Sequence, residues 1–314
     1  LSQGLQEILN IFERFKASDS LSEEDLVTFK VILQDGEDFA SRRKLIEDEG
    51  MKINAVKDKN HAVVTAKRDV FGTLQQRVGR YRDEGRKKDF QYIADFEPFR
   101  AADKKTTDLV RFFKENPDEL SIDVQMMLLP DLSPEVRDRV QGKIEEKIIA
   151  KNGKIQDEPY HLTDGTAIIR AMVSVSSIDE LSDDQGIYRV ERTTFFQHIV
   201  PSATSAFKTG PQLAPGINID ELPAVVVLDD GVDLPDSISS IAPVHWMATG
   251  VHKTSIFGGH GTPVASRAAF ADLGMHIGDT YLSPRAKIID AAIIDTGKTP
   301  GNIVLQRIQE AVVE

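Results

Sequence analysis

Two short stretches of this chain hold residue types that can do chemistry together. The first, Ala224-Val225-Val226-Val227-Leu228-Asp229-Asp230-Gly231-Val232-Asp233, is an apolar run that stops abruptly at carboxylates and a glycine. The second, Gly258-Gly259-His260-Gly261-Thr262-Pro263-Val264-Ala265-Ser266, brings a histidine to the start of an Ala/Ser-rich stretch ending at Phe270. A hydroxyl is a poor nucleophile until a neighbouring imidazole takes its proton. A buried carboxylate serves that imidazole by holding its tautomer and stabilising the imidazolium. Asp229 and His260 are the candidates for the two roles.

The elements around these residues must place them. A run that is apolar at every position predicts a strand buried on both faces, as in a parallel sheet. Functional side chains in such sheets gather at the carboxyl ends of strands, where Asp229 falls. Thr262 followed by Pro263 predicts an N-cap with proline in the first turn, so His260 stands at the mouth of a helix. Ala286–Ile294 is a further, nearly all-apolar run, interrupted by Asp290, and Asn302–Val313 has helical spacing.

These motifs resemble those of the subtilisin-like serine peptidases. That family carries Asp-Ser/Thr-Gly after a buried strand, then His-Gly-Thr-x-Val-Ala opening a helix. Asp229 and Gly231 fit the first motif, with Asp230 in place of the hydroxyl residue. His260, Gly261, Thr262, Val264 and Ala265 fit the second, and the order is Asp before His. The resemblance covers roughly a third of the chain, Pro223 to Glu314. It implies a serine-type endopeptidase acting on peptides or proteins, with Asp229 and His260 as catalytic residues and a serine in a Gly-Thr-Ser-x-Ala segment. No such segment occurs in the 314 residues. The nucleophile and the oxyanion asparagine are therefore expected beyond Glu314, and this chain alone is expected to be inactive.

Upstream, the apolar pattern alternates between strand and helix twice in the same order. Residues 1–16 carry Leu5, Ile8, Leu9, Phe12 and Phe15 at helical spacing, which predicts a helix packed on its own domain, or else one that docks a partner. Val27–Gln34, Phe39–Glu49, the hairpin Lys52–Lys57 and Ala62–Lys67, Asp69–Glu84 and Phe90–Phe99 read as βαββαβ. After a linker near Ala101–Lys104, the order returns in Ile122–Leu129, Ser133–Lys151, Lys154–His161 with Thr166–Ser174, Ser176–Leu181 and Gly186–Phe195. A repeated βαββαβ order suggests two ferredoxin-like sandwiches in tandem. The second resembles the propeptide domain of the same peptidases. The expected organisation is an N-terminal helix at 1–20, ferredoxin-like α+β units at 21–104 and 118–197, a linker at 198–220, and the first part of an α/β peptidase domain at 221–314.

Composition limits the alternatives. A net charge of −12 argues against a nucleic-acid surface, and no apolar run is long enough to cross a bilayer. There is no cysteine, which excludes disulfides and thiolate metal sites. No secretory signal pattern opens the chain, so a cytoplasmic location is expected, although Leu rather than Met stands first. No cofactor is expected from the residues, and the resemblance leaves calcium open. A competing reading takes Asp229, Asp230 and Asp233 as a magnesium site, as in phosphatases that carry Asp-x-Asp-Gly. Here the two adjacent carboxylates would lie on opposite sides of an extended chain. A second competing class is a non-catalytic interaction protein built on a peptidase remnant. The basic run Arg77, Arg80, Arg82, Arg86, Lys87 and Lys88 reads as a solvated helix face. The remaining histidines, His61, His161, His198, His245, His252 and His276, show no ligand-like spacing.

Overall fold

The computed structural model describes residues 1–15, 19–84, 90–197, 210–251, 259–271, 276, 278–295 and 298–313. Gly258, His198, His252, Arg86, Lys87, Lys88 and the linker positions 198–209 lie outside these, as do the side chains of Phe15 and Arg82. The chain is a mixed α/β protein in two compact units, Leu1–Thr193 and Thr194–Glu314. Among the described residues no helix is long and apolar enough to cross a membrane.

The first unit opens with α1 (Ser2–Phe15), followed by β1 (Leu26–Leu33), α2 (Phe39–Asp48), β2 (Met51–Asp58), β3 (His61–Lys67), α3 (Arg68–Glu84) and β4 (Ile93–Pro98). The strands form an antiparallel sheet in the order β2-β3-β1-β4, with Phe29 opposite Val64 and Val31 opposite Phe96. Alternate residues of β1 (Val27, Phe29, Val31 and Leu33) point into one core with Phe71, Leu74 and Val78 of α3. The apolar stripe of α1 enters that core through Leu5, Ile8 and Phe12, so the helix packs on its own unit. Gly4 permits this approach, since a Cβ there would stand 1.8 Å from the Phe96 carbonyl oxygen.

Next come α4 (Ala101–Lys104), α5 (Thr107–Glu115), β5 (Ser121–Leu128), α6 (Pro134–Ala150), β6 (Lys154–Ile155), β7 (Tyr160–His161), β8 (Ala167–Ser174), α7 (Ile178–Asp183) and β9 (Ile187–Arg192). The sheet order is β6-β8-β5-β9, with β7 also on β8. Ser133 caps α6 by accepting from the Val136 N–H, and Pro134 fills its first position. The continuous strand expected over Lys154–His161 is instead two short pieces, and Pro159, which has no N–H to give the ladder, lies between them. The segment Ala101–Lys104, read from sequence as a linker, is a buried helical turn. The Asp103 carboxylate accepts from the Arg100 N–H at its start, and Asp183 accepts from the Ala101 N–H.

A buried polar cluster ties the two sheets together. Thr28 of β1 donates its N–H to Gln185 Oε1 (2.8 Å), and the Gln185 N–H donates to Asp19 Oδ2 (2.9 Å). Asp184 accepts from the Ser20 N–H and hydroxyl and pairs with Lys147, while its carbonyl takes Lys104 Nζ at 2.7 Å. Burial pushes Lys104 down to about 8. Burial, aided by the Asp184 charge, pushes the Asp19 carboxyl up to about 6.

The second unit contains β10 (Phe195–Gln197), β11 (Gln212–Leu213), β12 (Ala224–Asp229), β13 (Val244–Met247), α8 (Gly261–Phe270), β14 (Tyr281–Leu282), β15 (Lys287–Ala292), β16 (Lys298–Pro300) and α9 (Gly301–Val313). Its principal sheet is parallel, in the order β12-β15-β13. Helix α8 covers one face through Ala265, Ala269 and Phe270, which pack with Val227 and Ile288. The expectation that β12 is buried on both faces is corrected: Val226 is 51% exposed and Val225 38%.

Asp19 gives a pH test. Its folded pKa lies above the ordinary 3.8, so the folded state holds a proton that the unfolded state has lost. Lowering the pH through about 6 toward 4 therefore favours the fold, by on the order of 3 kcal/mol at most. Chemical unfolding of wild type and Asp19→Ala across this range checks it. The stability of wild type relative to the variant should grow as the pH falls.

Candidate functional site

Asp229 ends β12 and His260 immediately precedes α8, so a strand end and a helix start meet. Asp229 Oδ2 lies 2.7 Å from His260 Nδ1, and Oδ1 accepts from the Asp230 N–H at 2.9 Å. The Asp229 side chain is 13% exposed and that of His260 is 53% exposed. A shielded carboxylate thus engages one ring nitrogen of a half-exposed imidazole. With the Asp229 oxygen as acceptor, Nδ1 carries the proton and Nε2, on the other edge of the ring, becomes the basic nitrogen.

Asp230 has a different task. It is buried, and its carboxylate accepts from the His260 N–H (2.8 Å) and from the Gly261 N–H (2.7 Å). These amides belong to the start of α8, whose first N–H groups have no partner inside the helix. A negative charge there also meets the positive end of the helix dipole. The expected Thr262 cap is corrected by this arrangement. The helix begins at Gly261, and Thr262 Oγ1 instead accepts from the Asp233 N–H at 2.9 Å. Asp230 reaches the helix end across space, so no local N-cap motif records it.

The approach between the two motifs is close. A Cβ on Gly261 would sit 2.5 Å from the Gly231 carbonyl oxygen, and one on Gly259 would sit 2.7 Å from Asp230 Oδ1. Gly231 itself turns the chain with φ of 103°, a conformation that favours glycine. The glycines of both motifs thus let the carboxylates reach the helix.

The sheet fixes the rest of the loop. The Asp229 carbonyl accepts from the Ile293 N–H at 2.7 Å, just beyond β15. Asp290 of β15 accepts from the Val232 N–H at 3.0 Å and meets His245 Nδ1 at 2.9 Å. Sequence spacing gave no sign of this second pair, since 45 residues separate its members. The available signal was a charged residue inside an apolar strand, which requires a partner.

Among the described residues, no group of three or more His, Asp or Glu side chains is placed to hold a metal ion. Both carboxylate oxygens of Asp230 meet backbone donors, and Asp229 faces the imidazole. His61, His161 and His276 hydrogen-bond with Asp58, Gln141 and Asp279 respectively.

The chain matches no protein-family model and no curated protein. The residues and their geometry therefore carry the functional argument.

Gly261 separates two opposed effects. Alanine would improve helix propensity by about 1 kcal/mol. Its Cβ would also strike a backbone carbonyl, which cannot swing aside as a flexible side chain does. Overpacking of this kind costs about 1–3 kcal/mol. Gly261→Ala should therefore lower the unfolding midpoint in denaturant. Asp230→Ala should also destabilise the protein, by about 1–3 kcal/mol, because two helix-start amides lose their acceptor.

Proposed function

We propose that Asp229 and His260 are the carboxylate and base of a serine-type endopeptidase site. The observation that carries this reading is the 2.7 Å contact between Asp229 Oδ2 and His260 Nδ1. It joins a parallel-strand end to a helix start, with the aspartate first in sequence. In the mechanism, Nε2 takes the proton of an attacking serine hydroxyl and later gives it to the leaving amine. Asp229 keeps Nδ1 protonated and stabilises the imidazolium between the two transfers. The reading requires a serine from polypeptide outside these 314 residues, and the chain by itself is expected not to turn over peptides.

Further support comes from β10, which pairs antiparallel with β16 through Phe195–Pro300, Phe196–Thr299 and Gln197–Lys298. An extended peptide added to a strand edge is a common way of presenting a backbone to a site. Here Phe195–Gln197, just ahead of the linker, adds to β16. The β2-β3-β1-β4 and β6-β8-β5-β9 orders support two ferredoxin-like units, of which the second is the propeptide-type unit in this reading. A cytoplasmic location and a peptide or protein substrate belong to the same proposal.

The competing reading is a non-catalytic interaction protein built on the same fold. Labelling of the native gene product with a fluorophosphonate separates the two. The peptidase reading expects labelling that His260→Ala abolishes. Asp229→Asn, which favours the wrong tautomer, should slow it by about four orders of magnitude. Full labelling in the His260 variant would sink the assignment, and no labelling of the wild-type product would leave the non-catalytic reading.

A further inference from the structure

Behind the Asp229 turn, the sheet holds a carboxylate–imidazole pair that the proposed chemistry does not use. Asp290 sits within β15 at 2% exposure, between Ile289 and Ala291. An ionised group at such a position is costly unless its oxygens find partners. One oxygen accepts from the Val232 N–H, and the other meets His245 Nδ1. Sheet pairing aligns these groups, because His245 of β13 stands opposite Asp290 in the parallel register, with Val227 of β12 on its other side.

The turn from Asp229 to Val232 is thereby anchored on β15 at both ends. At its start, the Asp229 carbonyl accepts from the Ile293 and Ile294 N–H groups at 2.7 and 3.2 Å. At its end, the Val232 N–H reaches Asp290. Only Asp230 and Gly231 lie between the anchors. Asp230 caps α8 through its carboxylate, and the Gly231 carbonyl presses against Gly261. Any rotation of this turn would move the Asp230 cap and the Asp229 side chain together, and with them the ring of His260.

We propose that Asp290 and His245 are positioning residues whose pairing pins Val232 and so sets the geometry in which Asp229 meets His260. The inference rests on the assignment of Asp229 and His260 given above. His245 matters because its Nδ1 meets the second oxygen of Asp290 at 2.9 Å. The imidazole fixes the rotamer of the carboxylate, and the carboxylate fixes the turn. A residue that only stabilised the sheet would lower the unfolding midpoint without loosening the Asp229–His260 hydrogen bond in the folded protein.

Proton exchange in the 314-residue chain, labelled with ¹⁵N, distinguishes these cases. The His260 Nδ1 proton is identified by its loss in Asp229→Ala and His260→Ala, and the Val232 amide is read in the same spectra. In folded His245→Ala and Asp290→Ala, both protons should exchange with water about tenfold faster, the scale of one weakened hydrogen bond. Asp290→Asn should restore most of the protection. Its carbonyl oxygen still accepts from Val232, and its amide can donate to a neutral His245 Nδ1. If Asp290→Ala fails to fold, His245→Ala and Asp290→Asn decide the matter. Exchange within twofold of wild type at both protons in His245→Ala overturns the inference, as does an Asp290→Asn variant in which the Val232 and His260 protons are fully exposed. A wild-type chain with a protected Val232 amide and no His260 Nδ1 proton bonded to Asp229 instead overturns the Asp229–His260 reading, and the positioning role with it.

Discussion

The buried carboxylate of Asp230 is the joint on which the second unit's geometry depends. It follows the last residue of β12 and accepts from the first amides of α8, so one side chain couples a strand end to a helix start. A hydroxyl at this position has a shorter reach and no charge. A carboxylate supplies two acceptors and opposes the positive end of the helix dipole. The close contact between Gly261 and the Gly231 carbonyl follows from the same approach. The relation between Asp229 and His260 is then settled by backbone as much as by side chain. Each is the direct chain neighbour of a group tied to Asp230 or is itself tied to it.

The first unit meets a different constraint. Its two antiparallel sheets bury two cores, the second of which takes in Val63 of β3, and polar side chains also join them, including two carboxylates and a fully buried lysine. Buried ions are costly singly, and Asp184 meets this cost by gathering several donors at once: the Ser20 amide and hydroxyl, Lys147 and the Gly186 amide. Gly186 is crowded in turn, since a Cβ there would fall 2.2 Å from Ser20 Oγ. An arrangement of this kind specifies a relation between the sheets that apolar contact alone would leave free to slide.

How much of this was legible in the sequence depends on the range of the interaction. The strand and helix order was readable because periodicity is local: alternate residues of β1 face one core, and Leu5, Ile8 and Phe12 fall on one face of α1. The contact between Asp229 and His260 was legible only because two motifs suggested it together. The Thr262 cap was misread because the real acceptor, Asp230, lies 31 residues before Gly261 in the chain. The double burial of β12 was misread because an apolar run reports the preference of a strand and not what packs on it. Val225 to Leu228 have the composition of a central strand, yet Val226 stands half exposed. Asp290 was visible as an interruption in an apolar run, but its partners, Val232 and His245, come from two other segments. Ala101–Lys104 looked like a linker because its anchors, Asp183 and Asp184, arrive about eighty residues later, after all but the last strand of the second sheet.

Acid–base chemistry of the proposed kind would ask opposite things of Asp229 and His260, and the local structure separates them. The carboxylate has to be shielded, so that its charge acts on the imidazole and not on water. Asp229 meets this need at a strand end, with one oxygen occupied by the Asp230 amide and the other by His260. In the proposed chemistry the imidazole would have to be fixed on one edge and accessible on the other, since protons would enter and leave through Nε2. A histidine inside a helix would have its ring packed by the turns around it, and one in an unanchored loop would not hold its angle. His260 stands between these cases. Its backbone amide is tied to Asp230 and its Nδ1 to Asp229, while half of its side chain remains exposed.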